Sequence, residues 1–544
     1  MARLSNFPPS TRPATAAWRL GALALLASAA LALTSVDATS AYTPAIAWQQ
    51  AQHSTDVEAV FAQARREGKP VFLFWGAQWC PPCQQIKATV FRRVDFIELS
   101  RGFIALYIDG DAPGAQRLGE RFRVRGYPSM LLLSPQGEEL TRLPGELDAS
   151  LYVNALRSAL GGSAARAATR PTTDVLAAAL AGQDLPVHEW RQLAWYAWDA
   201  DDRDALRPGD RARTLARLAQ VCPPGLRATH TRLLLKAAAA AGAAGTAAAL
   251  DADLRSAAGA ALLRLLGDGS SAREQLDLVS NDATAVLAAL SVAGSRERQQ
   301  LLQTWDQAVR RLAADESLPR ADRLTALQVR VELATLGRPR GDTDVPAELR
   351  SEIRQLVERF ERDTPDPGER QAVVPTAARL LADAGLPAEA RALLTTNLPR
   401  AAAPHYLMGQ LASLARAQGQ TSEALRWSQR AWEAARGPAT RLQWGASHVT
   451  WLVQLAPEDG TRIEEATASV LAELAQQHDA YHVRNVRALQ RIAEALQDWQ
   501  QTTADGPARL HRLAERLSPV CRQQRAGSSA RTQCEALLDP RPRT

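Results

Sequence analysis

Cysteine is scarce in this sequence: five in 544 residues, at Cys80, Cys83, Cys222, Cys521 and Cys534. That excludes a small disulfide-stapled scaffold. It also leaves no second CxxC or CxxH with which Cys80 and Cys83 could complete a four-ligand structural zinc site. Lysine is nearly absent, at Lys69, Lys87 and Lys236 alone. The formal net charge of +6 therefore rests on arginines scattered along the chain. No basic stripe is interleaved with aromatics in the way that tracks a phosphate backbone, so no nucleic-acid partner is expected. Long hydrophobic runs are missing too. Beyond the first forty residues nothing approaches the roughly 20 apolar residues that span a bilayer, and the run Ala237–Ala249 is broken by glycines. There is no phosphate-cradling glycine loop and no Ser/His/Asp arrangement. What remains, 46% hydrophobic and 22% charged, is globular material long enough for two or three domains.

The first stretch, residues 1–41, reads as a targeting segment. Arg3, Arg12 and Arg19 form a positive region without acids, and Leu20 to Leu33 is an apolar core too short to span. Small residues follow at cleavage-site spacing, at Val36-Asp37-Ala38 or Thr39-Ser40-Ala41. A cleaved signal peptide and an uncleaved N-terminal anchor both fit, and either way the rest of the chain is expected to be exported. In an oxidising compartment Cys521 and Cys534 are expected to form a structural bridge near the chain end, with Cys222 a buried apolar residue.

Hydrophobic patterning divides the remainder. Asp56 to Glu67 is an amphipathic helix with Val57, Val60, Phe61 and Ala64 on one face, stopped by Gly68-Lys69-Pro70. Val71–Trp75 and Phe103–Ile108 are apolar runs that fit buried strands. Cys83–Val90, Gly114–Phe122 and Asp148–Leu160 read as helices. Ser129–Leu133 and Glu139–Arg142 read as a hairpin about Pro135-Gln136-Gly137. The expected order is βαβαββα over residues 42–162. Residues 163–174 are small, polar and Pro-containing, and read as a linker. Residues 175–544 are helical in pattern. Within them Ala378, Gly385 and Ala390 match Ala412, Gly419 and Ala424, each 34 residues on, with a degenerate third copy after Ala446. The period and the small residues resemble the tetratricopeptide repeat, most clearly over 370–480, and imply paired antiparallel helices that offer a surface to a protein or peptide.

The chemistry lies in Phe74-Trp75-Gly76-Ala77-Gln78-Trp79-Cys80-Pro81-Pro82-Cys83. A CxxC that follows a buried strand and opens a helix places a cysteine at a helix N-terminus, where free N–H groups and positive potential stabilise a thiolate. Trp79-Cys80-Pro81-Pro82-Cys83 resembles the WCxxC site of the thioredoxin superfamily, and Gly126-Tyr127-Pro128-Ser129 resembles its cis-proline loop. The stretch Lys87-Ala88-Thr89-Val90-Phe91 is similar to the periplasmic domain of the bacterial transmembrane thiol reductant. The resemblance implies an α/β thioredoxin-like fold with an all-α helical-repeat region after it. It implies that Cys80 is the nucleophile, Cys83 the resolving thiol and Trp79 a shield. Pro128 would be cis beside the pair, and Tyr127 would supply backbone to an extended substrate. No cofactor beyond the redox-active disulfide is expected. Partners would be protein thiols and disulfides, together with a thiol redox partner that resets the pair, in the periplasm or otherwise outside the cytoplasm.

Two departures matter. Thioredoxin's buried Asp, six residues before the first cysteine, is here Phe74, and its lysine partner falls near Ala105. Proton transfer would then need water or a carboxylate such as Glu120 or Asp109. Pro81 and Pro82 have no N–H for the Cys80 sulfur, so its thiolate is less stabilised and the couple leans to reductant or isomerase rather than oxidant. The competing reading is an interaction or scaffold protein with an accessory thioredoxin-like domain. His478 and His482 lack a third ligand, Asp109-Gly110-Asp111 reads as a strand-end turn, and Trp190, Trp195 and Trp198 read as a helix core stripe. No metal site is expected.

Overall fold

The computed structural model describes residues 45–145, 147–161, 169–201, 208–246, 250–339, 344–477 and 480–538. The targeting segment at 1–41, the linker residues 163–168 and His478 lie outside the described residues.

Strand β1 (Gln49–Gln50) precedes helix α1 (Ser54–Glu67), strand β2 (Val71–Gly76), helix α2 (Pro81–Thr89) and helix α3 (Val94–Leu99). Then come β3 (Ile104–Asp109), α4 (Ala115–Arg121), β4 (Ser129–Leu133), β5 (Glu139–Leu143) and α5 (Ala149–Ala159). The sheet order is β1-β3-β2-β4-β5. Strand β2 runs parallel to β3 and antiparallel to β4, and β5 runs antiparallel to β4. This mixed sheet with helices on both faces is the expected thioredoxin-like architecture. Two elements are additions, and both are too short to carry a periodic signal. They are β1, two residues paired with Leu106 and Tyr107, and α3, six residues.

Central strand β2 is buried along its whole length because it feeds both cores. Leu73 and Trp75 meet Phe61, Leu106 and Leu118 on one face. Phe72 and Phe74 meet Phe96, Tyr152 and Leu156 on the other, the period-two alternation of a strand. Helix α1 buries Val57, Val60, Phe61 and Ala64, and ends at Gly68 with φ 63°. Asp148 caps α5, its carboxylate accepting the Ser150 and Leu151 N–H groups. Helix α2 begins at Pro81, two residues before the expected start at Cys83. Prolines are tolerated in a first turn, where their missing N–H would have had no helical partner.

Among the described residues, every regular element after α5 is a helix. Helix α6 (Thr172–Leu180) starts inside the stretch that reads as a linker, and Arg170 just before it pairs with Glu189 at 2.7 Å. Helix α7 (Val187–Ala194) follows. These elements cover the β5 edge. Thr172 Oγ1 and Gln192 Nε2 both donate to the Leu140 carbonyl, and the Ala197 N–H donates to that of Arg142 at 2.9 Å. Trp190, Trp195 and Trp198 do not form one helical stripe. Trp190 and Trp198 are buried, but α7 ends before Trp195, which is half-buried beneath the Arg232 guanidinium.

Farther on, helices pair as Pro367–Asp383 with Pro387–Asn397, and Pro404–Ala417 with Thr421–Ala434. Gly385 and Gly419 take φ of 78° and 70° in the two turns, a conformation that glycine adopts without a Cβ clash. Ala378, Ala390, Ala412 and Ala424 are all buried. Ala446 is buried as well, but its helix Pro438–Leu455 runs through the position where the third glycine would stand. The described residues from 45 to 538 form one compact unit. Among the described residues no helix is long and apolar enough to cross a membrane.

Candidate active site

Strand β2 delivers the chain to a turn at Ala77–Trp79, and Cys80 is the N-cap residue of α2. Its backbone is extended, with φ −75° and ψ 114°, and its sulfur accepts the Cys83 N–H at 3.3 Å. Pro81 and Pro82 occupy the first helical positions, so the Cys83 amide is the first N–H of the helix. Cys80 and Cys83 are joined as a disulfide with their Cα atoms 5.2 Å apart. Both are buried, Cys80 at 2% exposure.

The Tyr127–Pro128 peptide bond is cis. The Tyr127 ring meets that of Trp79 edge-on at 5.3 Å, which ties this loop to the residue before Cys80. Trp79 Nε1 donates to Asp111 Oδ2. Asp111 belongs to the strand-end turn read from Asp109-Gly110-Asp111, and its N–H donates to the Asp109 carboxylate at 3.0 Å. Burial raises the Asp111 carboxyl above its ordinary range, while Thr440 and Arg484 pull it down.

Several side chains from the helical region close over this face. The Gln371 Nε2 donates to the Trp79 carbonyl at 2.9 Å. Tyr406 stacks on the Trp79 ring. Thr440 Oγ1 donates to Asp111 Oδ2 at 2.5 Å. The Arg484 guanidinium lies 4.7 Å from the Trp79 ring centre and 4.9 Å from that of Tyr127, with Nη1 3.6 Å from Asp111 Oδ1. None of these four carries a local motif, and each stands roughly 290 to 400 residues from the cysteine pair. Covariation across homologous sequences would be the signal able to find them.

The two carboxylates considered for proton transfer are placed differently. Glu120 is exposed and pairs with His482 at the surface. Asp109 is largely buried, which raises its carboxyl, and its charged neighbours are Asp111 and Lys87. Phe74 is buried and stacked on Tyr107 at 5.6 Å. The Lys87 ammonium sits 4.8 Å over that tyrosine ring, its pKa lowered by burial.

Elsewhere, Cys521 and Cys534 are joined between helices Gly506–Gln523 and Ser529–Leu537, and the Tyr481 hydroxyl donates to Cys534 Sγ. Cys222 is free and buried, and burial pushes its thiol up to about 11. No cluster of three or more His, Cys, Asp or Glu able to hold a metal occurs among the described residues.

Residues 57–160 match the family model described as a thioredoxin-like domain. Relatives are named as thiol:disulfide interchange proteins. DsbD 1 of Pseudomonas aeruginosa is 33% identical over 120 residues, 21% of this chain and 20% of that protein. DsbD 2 of the same organism is 32% identical over 102 residues, 18% of this chain and 17% of that protein. DsbD of Klebsiella pneumoniae is 29% identical over 153 residues, 26% of each. The chain thus spans between about a sixth and a quarter of the length of these relatives. It carries a thioredoxin-like domain at 57–160, followed by an all-helical region.

Proposed function

We propose that this chain is an exported thiol–disulfide oxidoreductase whose Cys80/Cys83 dithiol reduces or isomerises disulfides in proteins. The observation that carries the reading is Cys80 as the N-cap of α2, its sulfur accepting the Cys83 amide, in a domain whose relatives are named for disulfide interchange. In the reduced state the Cys80 thiolate attacks one sulfur of a substrate disulfide. A mixed disulfide forms, and the other substrate sulfur leaves as a thiolate. The Cys83 thiolate then attacks the Cys80 sulfur, releases the second substrate thiol and leaves the pair as an intramolecular disulfide. An external thiol partner must reduce that disulfide to reset the cycle. Pro81 and Pro82 leave one backbone N–H on the Cys80 sulfur, which favours a reducing couple over an oxidising one.

Export is supported by the N-terminal arginines and apolar core, and by a second disulfide of the kind that persists in oxidising compartments. The helical hairpins over 367–434 support a partner-binding role for the tetratricopeptide-like region. The burial of Cys80 also favours a second reading, a scaffold whose redox pair stays covered until a partner binds.

Trapping separates the two. In the full chain, Cys83→Ser should hold substrates as mixed disulfides through Cys80, and Cys80→Ser should hold none. A Cys83→Ser protein that traps nothing in the exported compartment would favour the scaffold. Alkylation of Cys83 ahead of Cys80 in the reduced protein would reverse the two roles.

A further inference from the structure

The face that a thioredoxin-like domain presents beside its cysteines is covered here by Gln371, Tyr406 and Arg484. What stays open is a cleft of about 340 Å³ along α2, with Pro81, Pro82 and Gln85 on one wall and Asp322, Thr376 and Arg379 on the other. Tyr406 and Gln410 line this cleft and also a second pocket, of about 260 Å³, whose far walls include Trp444 and Trp451. The two spaces therefore meet at Tyr406, the residue stacked on Trp79.

Gln410 marks the junction chemically. Its Nε2 donates to the Pro375 carbonyl at 3.0 Å, which fixes the other end of the amide as oxygen. That Oε1 is buried and has no hydrogen-bond partner. A lone acceptor between a redox pair and an aromatic pocket matches one N–H of a passing main chain, with a side chain turned into the pocket.

We infer that the dithiol takes an extended, unfolded polypeptide segment through this cleft, anchored by one bulky apolar side chain between Tyr406, Trp444 and Trp451. The inference rests on the oxidoreductase reading above and narrows its substrate. A disulfide on the convex surface of a folded protein cannot enter a cleft at the small end of ligand pockets, roughly 300–1,000 Å³. A small disulfide would fit beside Pro81 and Pro82, but would leave the aromatic pocket and the Gln410 oxygen unused. Pro81 and Pro82, which follow Cys80 directly, line the cleft, so a chain lying in it runs toward that cysteine. Neighbouring helices lie about 8–10 Å apart and an extended residue covers about 3.3 Å. Helix Pro367–Asp383 packs on both α2 and Pro404–Ala417, so one to two such spacings put the anchor about three to six residues from the reacting cysteine.

The test uses the reduced full-length chain and short unstructured peptides, each with one cysteine capped as a nitrothiobenzoate mixed disulfide. One set carries tryptophan at about three to six residues from the cysteine, the other alanine at the same positions. At the best of these spacings the tryptophan peptide should oxidise the pair about tenfold faster or more, the scale of filling an apolar pocket. Both Trp451→Ala, which empties the pocket, and Ser413→Trp, which plugs it from a surface position, should bring that ratio to about one. Equal rates for the two sets in the unaltered chain, or a ratio that survives both substitutions, would overturn the inference while leaving the redox reading intact. So would a cysteamine mixed disulfide that reacts as fast as the anchored peptide, since it would assign the site to small thiols. If none of these probes oxidises the pair, the oxidoreductase reading itself fails.

Discussion

The ring of Tyr406 lies over that of Trp79, the centroids 6.3 Å apart and the planes 19° from parallel. One ring belongs to a helix of the C-terminal region and the other to the residue before Cys80, so the two parts of the chain share a single site. Aromatic pairs of this kind contribute about 0.5–1.5 kcal/mol beyond the area they bury. Removing the ring should open the site several-fold more often. In reduced protein, Tyr406→Ala is expected to speed maleimide labelling of Cys80 by about three- to tenfold, measured against the unaltered chain by mass spectrometry. Unchanged labelling would mean that Tyr406 does not guard the sulfur.

The reduction potential of the pair should lie nearer that of thioredoxin, about −270 mV, than that of the strong periplasmic oxidant, about −120 mV. The physical reason is the donor count at Cys80 Sγ. The two prolines remove the first amides of α2, and the Cys83 N–H remains as the helix's own donor. Equilibration in dithiothreitol or glutathione buffers gives the value directly, and a result above about −150 mV on the same scale would sink the reductant reading.

How much of this was legible without coordinates depends on the range of each signal. The buried strand Val71–Trp75, the helix face of Val57, Phe61 and Ala64, and the hairpin about Gly137 are written in local periodicity and turn chemistry, and they appear where expected. The CxxC was readable because strand, turn and helix are contiguous. Gln371, Tyr406, Thr440 and Arg484 were not, because a helix surface shows which side chains are polar or aromatic but not what they will touch. Helix α2 starts earlier than its pattern implied because proline, usually a breaker, is neutral in a first turn. Residues 169–174 look like a linker by composition, yet Thr172 is buried against the sheet edge, and composition cannot report that packing.

The Asp111 carboxyl gives the site a pH signature. Burial raises it above its ordinary value of 3.8, so the native state binds its proton more tightly than the unfolded chain does. Stability from this group is therefore present in acid and is lost as pH rises through 3.8 and on through the native value. Asp109, raised by the same cause, adds in the same direction. Asp111→Asn cannot titrate there. The melting temperature of the variant, relative to the unaltered chain, should thus climb as pH rises above about 4. A difference that falls over that range would show the Arg484 attraction outweighing burial.

The Cys521–Cys534 bridge closes a loop with a sequence separation of 13 at the end of the helical region. Loops of about 15 residues are worth roughly 3 kcal/mol through the unfolded state. The double variant Cys521→Ala/Cys534→Ala should lose about 2–3 kcal/mol in urea unfolding, confined to the C-terminal helices if these unfold separately. Thiol counting gives a companion check. With both bridges formed, the native chain should show no reactive thiol at neutral pH, and denaturation should expose one, Cys222, whose thiol is pushed up to about 11 and shielded.

The last expectation concerns where the thioredoxin-like part can be cut from the rest. Truncation to 45–174 removes Gln192 and Ala197, which leaves the Leu140 and Arg142 carbonyls of edge strand β5 without those donors. It also removes Trp195, which packs against the sheet's helix-side core. Truncation to 45–201 keeps these contacts, together with the Ala200 carbonyl that accepts from the buried Arg142 guanidinium at 3.0 Å. Each lost hydrogen bond is worth about 0.5–1.5 kcal/mol. The longer piece should therefore be more stable by about 1–3 kcal/mol in a denaturant titration, although it bares the faces of α6 and α7 that pack on later helices. Both pieces lack Gln371, Tyr406 and Arg484, so reduced Cys80 should label faster in either than in the full chain. A shorter piece as stable as the longer one would place the boundary before α6. Slow labelling in both would mean that the domain itself, and not the helical region, hides the cysteine.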